Sequence, residues 1–474
     1  MSFNSVQFLV FMTIMVAGYF VIPLRLRYVW LLIGSYTFYM CAEPVYGLIM
    51  FLSTLISYAG AILMEKQKKY LVPVIILDML PLLFFKYTDF LLDTADGVFS
   101  LAGGSLSARL NIILPVGISF YTFQTMGYVI DVYRKRLKAE RNIFHYALYV
   151  SFFPQLVAGP IERSVNLLPQ IKDIGRKRNF DPERIRDGVM LILWGLFQKM
   201  VIADRLSITV DYVFDHWKEY GYGGLEMAVA TTLFAFQIYM DFGGYTAIAR
   251  GCARIFGIEL MQNFRQPYLA TSIKDFWRRW HISLTSWFTD YLYIPLGGSR
   301  KGKGRKYLNV LIVFGLSGLW HGAAWHFVVW GLLHALYRCA GDAIEDRKKK
   351  EEGPVAKLFN MGVTFCFVVF AWLFFRAGSL KQAFGMILQG IRTPHFNGWG
   401  WGQDRAQIVI ALVALLIVAL VDILHEKEIA VYGKLKNSLL PFRWVCFAGL
   451  LFTVFLFGVY GRDFDVAQFI YFRF

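Results

Sequence analysis

The sequence carries little charge for its size. Only 17% of its 474 residues are Asp, Glu, Lys or Arg, whereas 57% are hydrophobic. A soluble domain carries charge on about a quarter of its residues and has too little interior to bury so much apolar surface. Because the apolar residues form long unbroken runs rather than amphipathic stripes, the composition excludes a soluble protein. It predicts an all-α polytopic membrane protein, folded as one membrane-embedded domain over residues 1–474.

The signatures of several kinds of site are also missing. No CxxC pair, HExxH motif or GxSxG motif occurs, so we expect no disulfide framework, no metal site and no serine hydrolase. No internal repeat is evident, which disfavours the inverted-repeat plan of many transporters. The net charge is +16, but no RNA-binding motif accompanies it, so nucleic acid is not an expected partner. The cysteines stand singly, at Cys41, Cys252, Cys339, Cys366 and Cys446.

Apolar runs near the length that crosses a bilayer recur along the chain. The pair at 307–323 and 326–343 is short, and either member is also compatible with a re-entrant helix. Basic residues concentrate in alternate loops, which places those loops in the cytoplasm beside anionic lipid and the N-terminus outside. About twelve spans are predicted, at residues 5–23, 27–42, 45–64, 70–92, 112–131, 185–206, 224–243, 307–323, 326–343, 358–377, 405–424 and 441–460.

Two further segments do not fit a simple crossing. Residues 143–160 are apolar but short, and basic sequence stands at both ends, so we expect a re-entrant or in-plane segment. Residues 262–298 mix many aromatic side chains with charges and are too polar to face lipid. This second segment is predicted to form helices that lie in the cytoplasmic interface and enter the fold.

Two histidines are the first candidates for chemistry. His321 lies in SGLWHGAAW on an apolar helix, between Gly318 and Gly322, and His281 lies in FWRRWHISLTSWF. A neutral imidazole in a dry pocket is a ready general base, and an ionisable residue at membrane depth is a functional candidate. A hydrogen-bonded structural histidine is the alternative for both. His326 and His334 follow His321 without metal-ligand spacing, and the remaining histidines are expected at surfaces or interfaces: His145, His216, His395 and His425.

Several long motifs carry a resemblance. DFWRRWHISLTSWFTDYLYIPLGGSRKGKGRK is followed by SGLWHGAAWHFVVWGLLHALY. Supporting motifs are ILPVGISFYTFQTMGYVIDVYR (113–134), FFPQLVAGPIER (152–163), QIYMDFGGYTAIARG (237–251), QNFRQPYLATSIKDFW (262–277) and FIYFRF (469–474). The chain resembles the membrane-bound O-acyltransferase family over essentially its full length, and especially its alginate O-acetyltransferase-like branch. Ala247 stands where many relatives have an acidic residue, which removes a carboxylate role at that position.

The resemblance implies a fold and a reaction. The fold is a ring of about 11–12 tilted helices around a thin central region that is pierced by a tunnel. Acetyl-CoA is the expected co-substrate, entering from the cytoplasm, and no bound cofactor is expected. The acceptor is a hydroxyl of a secreted or cell-wall polysaccharide outside a bacterial cell membrane. His321 is implied as the general base and His281 as a supporting residue on the tunnel.

The same resemblance indicates residues around the histidines. Candidate substrate or tunnel residues are Trp280, Trp320, Asp241, Tyr239, Asp290 and Ser317. Basic residues of the cytoplasmic segment are candidates for binding the donor phosphates, and topology with lipid contact explains the same residues equally well. These donor candidates are Arg278, Arg279, Arg300, Lys301 and Arg305.

Other functions stay open. D-alanyl-type transfer from a carrier protein, transport or flipping of a lipid-linked sugar, and a scaffold without catalysis all fit a polytopic body. The resemblance also implies an extracytoplasmic acetyltransferase partner, which is expected to contact the FIYFRF end. The sequence does not name the polysaccharide or the acyl group. It leaves open direct transfer, a relay through a partner and an acyl-histidine.

Overall fold

The fold is built from helices alone. The computed structural model describes residues 3–41, 43–104, 109–156, 159–176, 180–345, 353–394, 396 and 402–460, and these contain helices and no strand. This confirms the prediction of an all-α membrane protein. The FIYFRF end, His395 and the basic run at 348–350 lie outside the described residues.

The helix bounds follow the chain in order. The first half contains α1 (Val6–Val21), α2 (Arg27–Met40), α3 (Pro44–Lys66), α4 (Leu71–Leu82), α5 (Thr88–Leu101), α6 (Ile118–Tyr133), α7 (Ile143–Ser151), α8 (Phe153–Leu156), α9 (Ser164–Asp173), α10 (Pro182–Leu196) and α11 (Asp204–His216). The second half contains α12 (Gly224–Ile255), α13 (Ile273–Arg279), α14 (Ile282–Phe288), α15 (Lys303–His321), α16 (Trp325–Glu345), α17 (Pro354–Arg376), α18 (Leu380–Arg392), α19 (Arg405–Glu426), α20 (Val431–Lys436) and α21 (Leu440–Phe457).

Short helices of other types join these elements. The 3₁₀-helices are Leu24–Leu26, Lys68–Tyr70 and Pro267–Leu269. The π-helices are Leu83–Tyr87, Phe197–Ala203 and Thr289–Tyr293. A π-turn shifts the backbone register and often occurs at functional sites. In the second of these, the carbonyl of Met200 accepts a hydrogen bond from Val459 N at 3.1 Å.

Five helical stretches in the described chain are long and apolar enough to cross a membrane: Pro44–Lys66, Lys68–Leu101, Pro354–Arg376, Arg405–Glu426 and Leu440–Phe457. They coincide with predicted spans, and a shorter apolar helix, Val6–Val21, coincides with the first one. Their outward surfaces are apolar: only 6% of the Leu440–Phe457 window is buried. Such exposure of leucine and phenylalanine is stable against lipid and unfavourable in water, so the chain is a multi-pass membrane protein.

The two segments that were predicted not to cross form short helices. Residues 143–156 break into α7 and α8 at Phe152, the first residue of the FFP sequence, because Pro154 has no N–H with which to continue α7. Asn142 caps α7, and its Oδ1 accepts hydrogen bonds from Phe144 N and His145 N. Residues 273–293 form α13, α14 and the π-helix Thr289–Tyr293, each too short to cross a bilayer.

The chain packs as two compact units. The first comprises residues 1–192 and 248–261, and the second comprises 193–247 and 262–474. In the first unit, Phe153 is fully buried among the rings of Phe8, Phe11, Phe38 and Phe256. The second unit contains both candidate histidines and the helices that carry them.

Candidate active site

His321 is the last residue of α15 and stands at the tip of a helical hairpin. The hairpin is closely packed because two glycines let the backbones touch. A Cβ on Gly318 would lie 2.2 Å from Phe327 O on α16, and a Cβ on Gly331 would lie 2.2 Å from Phe314 O on α15. These approaches are possible only without a side chain, so the glycines fix where the helix end presents His321.

His281 stands in the turn that joins α13 to α14. Ser272 caps α13, since its Oγ accepts a hydrogen bond from Asp275 N at 3.1 Å, and the helix ends at Arg279. The backbone of His281 is in the left-handed region, at φ 43° and ψ 53°, and the residue serves as the N-cap of α14. The imidazole is fully buried, with 0% of the residue exposed.

The structure brings the two predicted histidines together. Their ring centroids lie 6.2 Å apart with the planes inclined at 60°. Trp320 lies beside both, with its ring centroid 5.9 Å from that of His281 and 5.0 Å from that of His321. His321 is 3% exposed and Trp320 is also 3% exposed, so the pair lies in a space sheltered from water.

Aromatic side chains that the sequence analysis did not single out complete the walls. Phe242 of α12 packs edge-on against His281 with centroids 4.7 Å apart. Trp330 of α16 and Phe375 of α17 pack against His321 at 5.1 Å and 5.3 Å. In the sequence these three residues belong to helices rich in aromatic side chains. An aromatic residue that lines a site looks the same there as one that faces lipid or the core, so the sequence did not single them out.

The surroundings of His281 favour the neutral imidazole. His281 lies outside the five apolar spans, and its removal from water lowers the pKa of His281 to about 3. Desolvation disfavours the charged form, and aromatic neighbours do not compensate for it. A neutral imidazole has one N–H donor and one acceptor nitrogen, so His281 is suited to hydrogen bonding throughout the physiological pH range.

A cavity of about 370 Å³ is lined by residues that neighbour the two histidines in the sequence. Leu284 on α14 and Ser317 on α15 form part of its wall. Leu284 follows His281 by three positions and Ser317 precedes His321 by four, and such spacings share one helix face. The cavity lining therefore includes a residue within four positions of each histidine, although neither histidine belongs to it. Its remaining lining is mainly apolar and includes Trp277, Phe288, Val310, Val313 and Phe314.

Cationic side chains border the same cavity. Lys274, Arg278 and Arg338 all line it, and Arg278 is exposed. Arg338 forms an ion pair with Asp342, which also binds Lys306 Nζ at 2.6 Å. A cavity bordered by several cationic side chains is suited to binding phosphate groups.

The other predicted donor residues are placed differently. Arg279 is held by two carboxylates, with Nε 2.9 Å from Asp275 Oδ2 and two further bonds to Glu426. Arg300, Lys301 and Arg305 are exposed, and among the described residues they do not belong to the cavity lining. Arg278 is thus the member of the predicted set that the cavity includes.

Two of the predicted tunnel residues have structural partners. Asp241 is buried and accepts a hydrogen bond from Lys199 Nζ at 2.5 Å, and Lys199 also lies 2.7 Å from Asp204 Oδ1. The hydroxyl of Tyr239 donates to Asp422 Oδ2 at 2.9 Å. These contacts connect separate helices, so both side chains also hold helices together.

The remaining predictions fall in two groups. Trp320 and Ser317 lie at the histidine pair and in the cavity wall, as described above. Trp280 is 1% exposed and packs against Phe264, Phe276 and Trp372 instead, at centroid distances of 4.9, 5.5 and 5.1 Å. Asp290 is half-buried in the π-turn that follows α14.

His334 is a buried histidine whose setting the sequence did not reveal. The indole Nε1 of Trp277 donates a hydrogen bond to His334 Nδ1 at 3.2 Å, which fixes the tautomer with the proton on Nε2. His334 is 0% exposed and lies between Trp277 and Trp330. Within the described part of the chain, no group of three or more His, Cys, Asp or Glu is arranged to hold a metal ion.

The chain matches a known family model. Residues 134–377, which include α13 to α16 and both histidines, match the model described as MBOAT, membrane-bound O-acyltransferase family.

Individual relatives match over most of the chain. The probable alginate O-acetylase of Pseudomonas putida is 33% identical over 437 residues, covering 88% of this chain and 86% of the relative. The peptidoglycan O-acetyltransferase of Helicobacter pylori is 34% identical over 437 residues, covering 83% and 81%. The teichoic acid D-alanyltransferase of Bacillus subtilis is 27% identical over 285 residues, covering 56% of this chain and 69% of the relative.

Proposed function

Because the chain belongs to the membrane-bound O-acyltransferase family, we propose that it O-acetylates a secreted or cell-wall polysaccharide. Its general activity, acyl transfer within a membrane, follows from the family. The proposal adds the donor, acetyl-CoA from the cytoplasm, and the acceptor, a sugar hydroxyl on the other face. Two relatives that act on polysaccharide or peptidoglycan match over more than four fifths of the chain, which supports this acceptor class.

One observation carries the proposal: two buried imidazoles lie 6.2 Å apart, centre to centre, and residues within four positions of each line a largely apolar cavity that also has cations in its lining. Acyl transfer from a thioester needs a base for the attacking hydroxyl and a donor for the oxyanion that develops. It also needs water to be excluded, because water competes for the thioester. The two imidazoles are 0% and 3% exposed, which meets this last condition.

His321 is assigned the role of general base. Its imidazole accepts the proton of the sugar hydroxyl while the hydroxyl oxygen attacks the thioester carbonyl. The tetrahedral intermediate collapses, the carbon–sulfur bond breaks, and the imidazolium returns the proton to the departing thiolate. His281 remains neutral at pH 7, since burial lowers its pKa to about 3, and its N–H is assigned to the oxyanion.

The cavity is assigned to the donor. Its apolar wall of Phe288, Val310 and Phe314 suits the pantetheine arm, and Ser317 marks the end next to His321. Lys274 and Arg278 are assigned to phosphate groups at the other end, with Arg338 beside them. Arg300, Lys301 and Arg305 stay as candidates for a more distant phosphate or for lipid.

We also propose an extracytoplasmic acetyltransferase partner that completes delivery to the polymer. Support comes from the resemblance alone, since the FIYFRF end lies outside the described residues. The test is a pull-down through a tag on the outer face, combined with an assay of the purified chain. The idea fails if no such enzyme is recovered and the chain acetylates polymer unaided.

The experiment for the main proposal offers labelled acyl donors to the purified protein in nanodiscs, with oligosaccharide acceptors. The donors are acetyl-CoA, acetyl carrier protein and D-alanyl carrier protein. Ester formation from acetyl-CoA supports the proposal, and turnover only with D-alanyl carrier protein assigns the chain to the teichoic acid type. Absence of turnover with all three donors, for the chain alone and with its extracytoplasmic partner added, contradicts the proposal.

A further inference from the structure

The backbone at His281 is held in a conformation that residues with a Cβ seldom adopt. A residue with a Cβ is crowded in the left-handed region, and His281 has φ 43° and ψ 53°. Such a residue persists only where its surroundings impose the geometry. The surroundings therefore determine where the imidazole points.

Two backbone hydrogen bonds enclose this turn. Arg265 N donates to Arg279 O at 2.9 Å, and Ile282 N donates to Asn263 O at 2.9 Å. The segment that precedes α13 thus runs beside the turn and binds it on either side of His281. Asn263 is 0% exposed, so the second bond is shielded from competing water.

The side chain of Asn263 extends this contact into α14. Its Oδ1 accepts hydrogen bonds from Ser283 N at 3.3 Å and from Ser283 Oγ at 2.6 Å. Its Nδ2 lies 3.2 Å from Thr246 Oγ1 on α12, the helix whose Phe242 packs against the imidazole. One buried amide therefore joins the first turn of α14 to the wall of the site.

We propose that Asn263 is the positioning residue for His281, holding the left-handed turn so that the imidazole faces His321. The inference rests on the proposed function, because it assigns His281 a task in acetyl transfer. Asn263 contacts neither reacting atom and acts through the backbone of residues 282 and 283. Displacement of a catalytic group by about 1 Å can cost a factor of about 100 in rate, so a loose turn is expected to lower turnover.

The test compares two substitutions in the full-length protein in nanodiscs, with acetyl-CoA as donor. Asn263→Leu keeps the volume and removes every side-chain hydrogen bond. Asn263→Asp keeps the acceptor for Ser283, and burial favours the protonated carboxyl, whose hydroxyl can donate to Thr246 Oγ1 as the amide does. We expect Asn263→Leu to lower kcat at least about 30-fold with KM for acetyl-CoA within about twofold, and Asn263→Asp to stay within about threefold of wild type.

Asn309→Leu is the matched control. Asn309 is also 0% exposed, and its Nδ2 donates to Gly298 O at 2.9 Å, but it lies three helical turns before His321 on α15. Wild-type kcat in Asn263→Leu, or an equal loss in the control, overturns the proposal. If Asn263→Leu does not fold, Ser283→Ala replaces it, and it must lower kcat without lowering the melting temperature.

His321→Ala in the same assay separates the two hypotheses. If it retains turnover, the assignment of His321 as the general base is wrong, whatever the Asn263 variants do, whereas a wild type without turnover overturns the proposed function itself. If it loses turnover while Asn263→Leu keeps it, only the positioning role is overturned.

Discussion

The imidazoles of His281 and His321 lie 6.2 Å apart, centre to centre, although they belong to different helices and to different kinds of helix end. His281 precedes the first turn of α14, and His321 completes the last turn of α15. In the proposed function, this spacing places a base and a hydrogen-bond donor close enough to act on the same carbonyl group.

The packing of the α15–α16 hairpin predicts a sharp contrast between two glycines. Gly318→Ala places a methyl group 2.2 Å from Phe327 O, so we expect a loss of about 1–3 kcal/mol and lower turnover. Gly315→Ala on the same helix meets only Leu332 Cδ2 at 3.8 Å and is expected to keep or improve stability. Melting temperatures in detergent measure the difference. Equal behaviour of the two variants contradicts the close packing.

The left-handed backbone of His281 predicts that the replacement residue matters. Asparagine tolerates this region, so His281→Asn is expected to fold normally and to lose turnover. The β-branched variant His281→Val is expected to lose roughly a further 1–2 kcal/mol of stability. Thermal melts and acetyl transfer, measured on both variants, test this order. A Val variant as stable as the Asn variant is incompatible with the strained turn.

Burial of His281 predicts a pH signature. The pKa of His281 is about 3 in the folded protein and near 6.5 when unfolded, so only the unfolded state takes up this proton in between. Stability is therefore lost as pH falls from about 6.5 towards 3 and does not depend on His281 above that window. Acid unfolding of wild type and His281→Asn measures this loss of stability, because the variant lacks the imidazole that is protonated only in the unfolded state. Identical acid profiles would falsify the neutral state of His281.

The Lys199 ion cluster predicts unequal costs for its members. Lys199→Met leaves Asp204 and Asp241 buried without their cation and is expected to cost about 3–5 kcal/mol. Asp241→Asn leaves the Lys199–Asp204 pair and is expected to cost less. Apparent melting temperatures and yields of folded protein rank the variants. Should Asp241→Asn be the more damaging variant, Asp241 has a role beyond this pairing.

Local sequence patterns predicted the helices and identified the two histidines as candidates. Apolar runs of bilayer length predicted the spans because length and hydropathy are local properties. The imidazoles of His281 and His321 stood out because charge is scarce around His321 and because both lie in long motifs. Gly318 was also noted as a small residue beside His321, but Gly331 and the close hairpin packing that the two glycines permit were not.

Long-range partners were not predictable in the same way. Tyr239 and Asp241 were chosen as tunnel residues from their motif, but their bonds go to Asp422 and Lys199, which are distant in sequence. The cations of the segment predicted to be cytoplasmic fitted donor binding, lipid contact and membrane topology equally well. Only the fold separates Arg278 at the cavity from Arg279, which is held by Glu426. Likewise, nothing in the sequence marks Asn263 as the neighbour of the His281 turn.

The most direct test of the central claim is acetyl transfer from labelled acetyl-CoA by wild type and His321→Ala, each purified in nanodiscs and shown to be folded. The account predicts that wild type forms the sugar ester and that His321→Ala slows the reaction by about 10²–10⁴-fold, the usual range for a general base. Turnover by His321→Ala at the wild-type rate contradicts the account, because the base would then lie elsewhere.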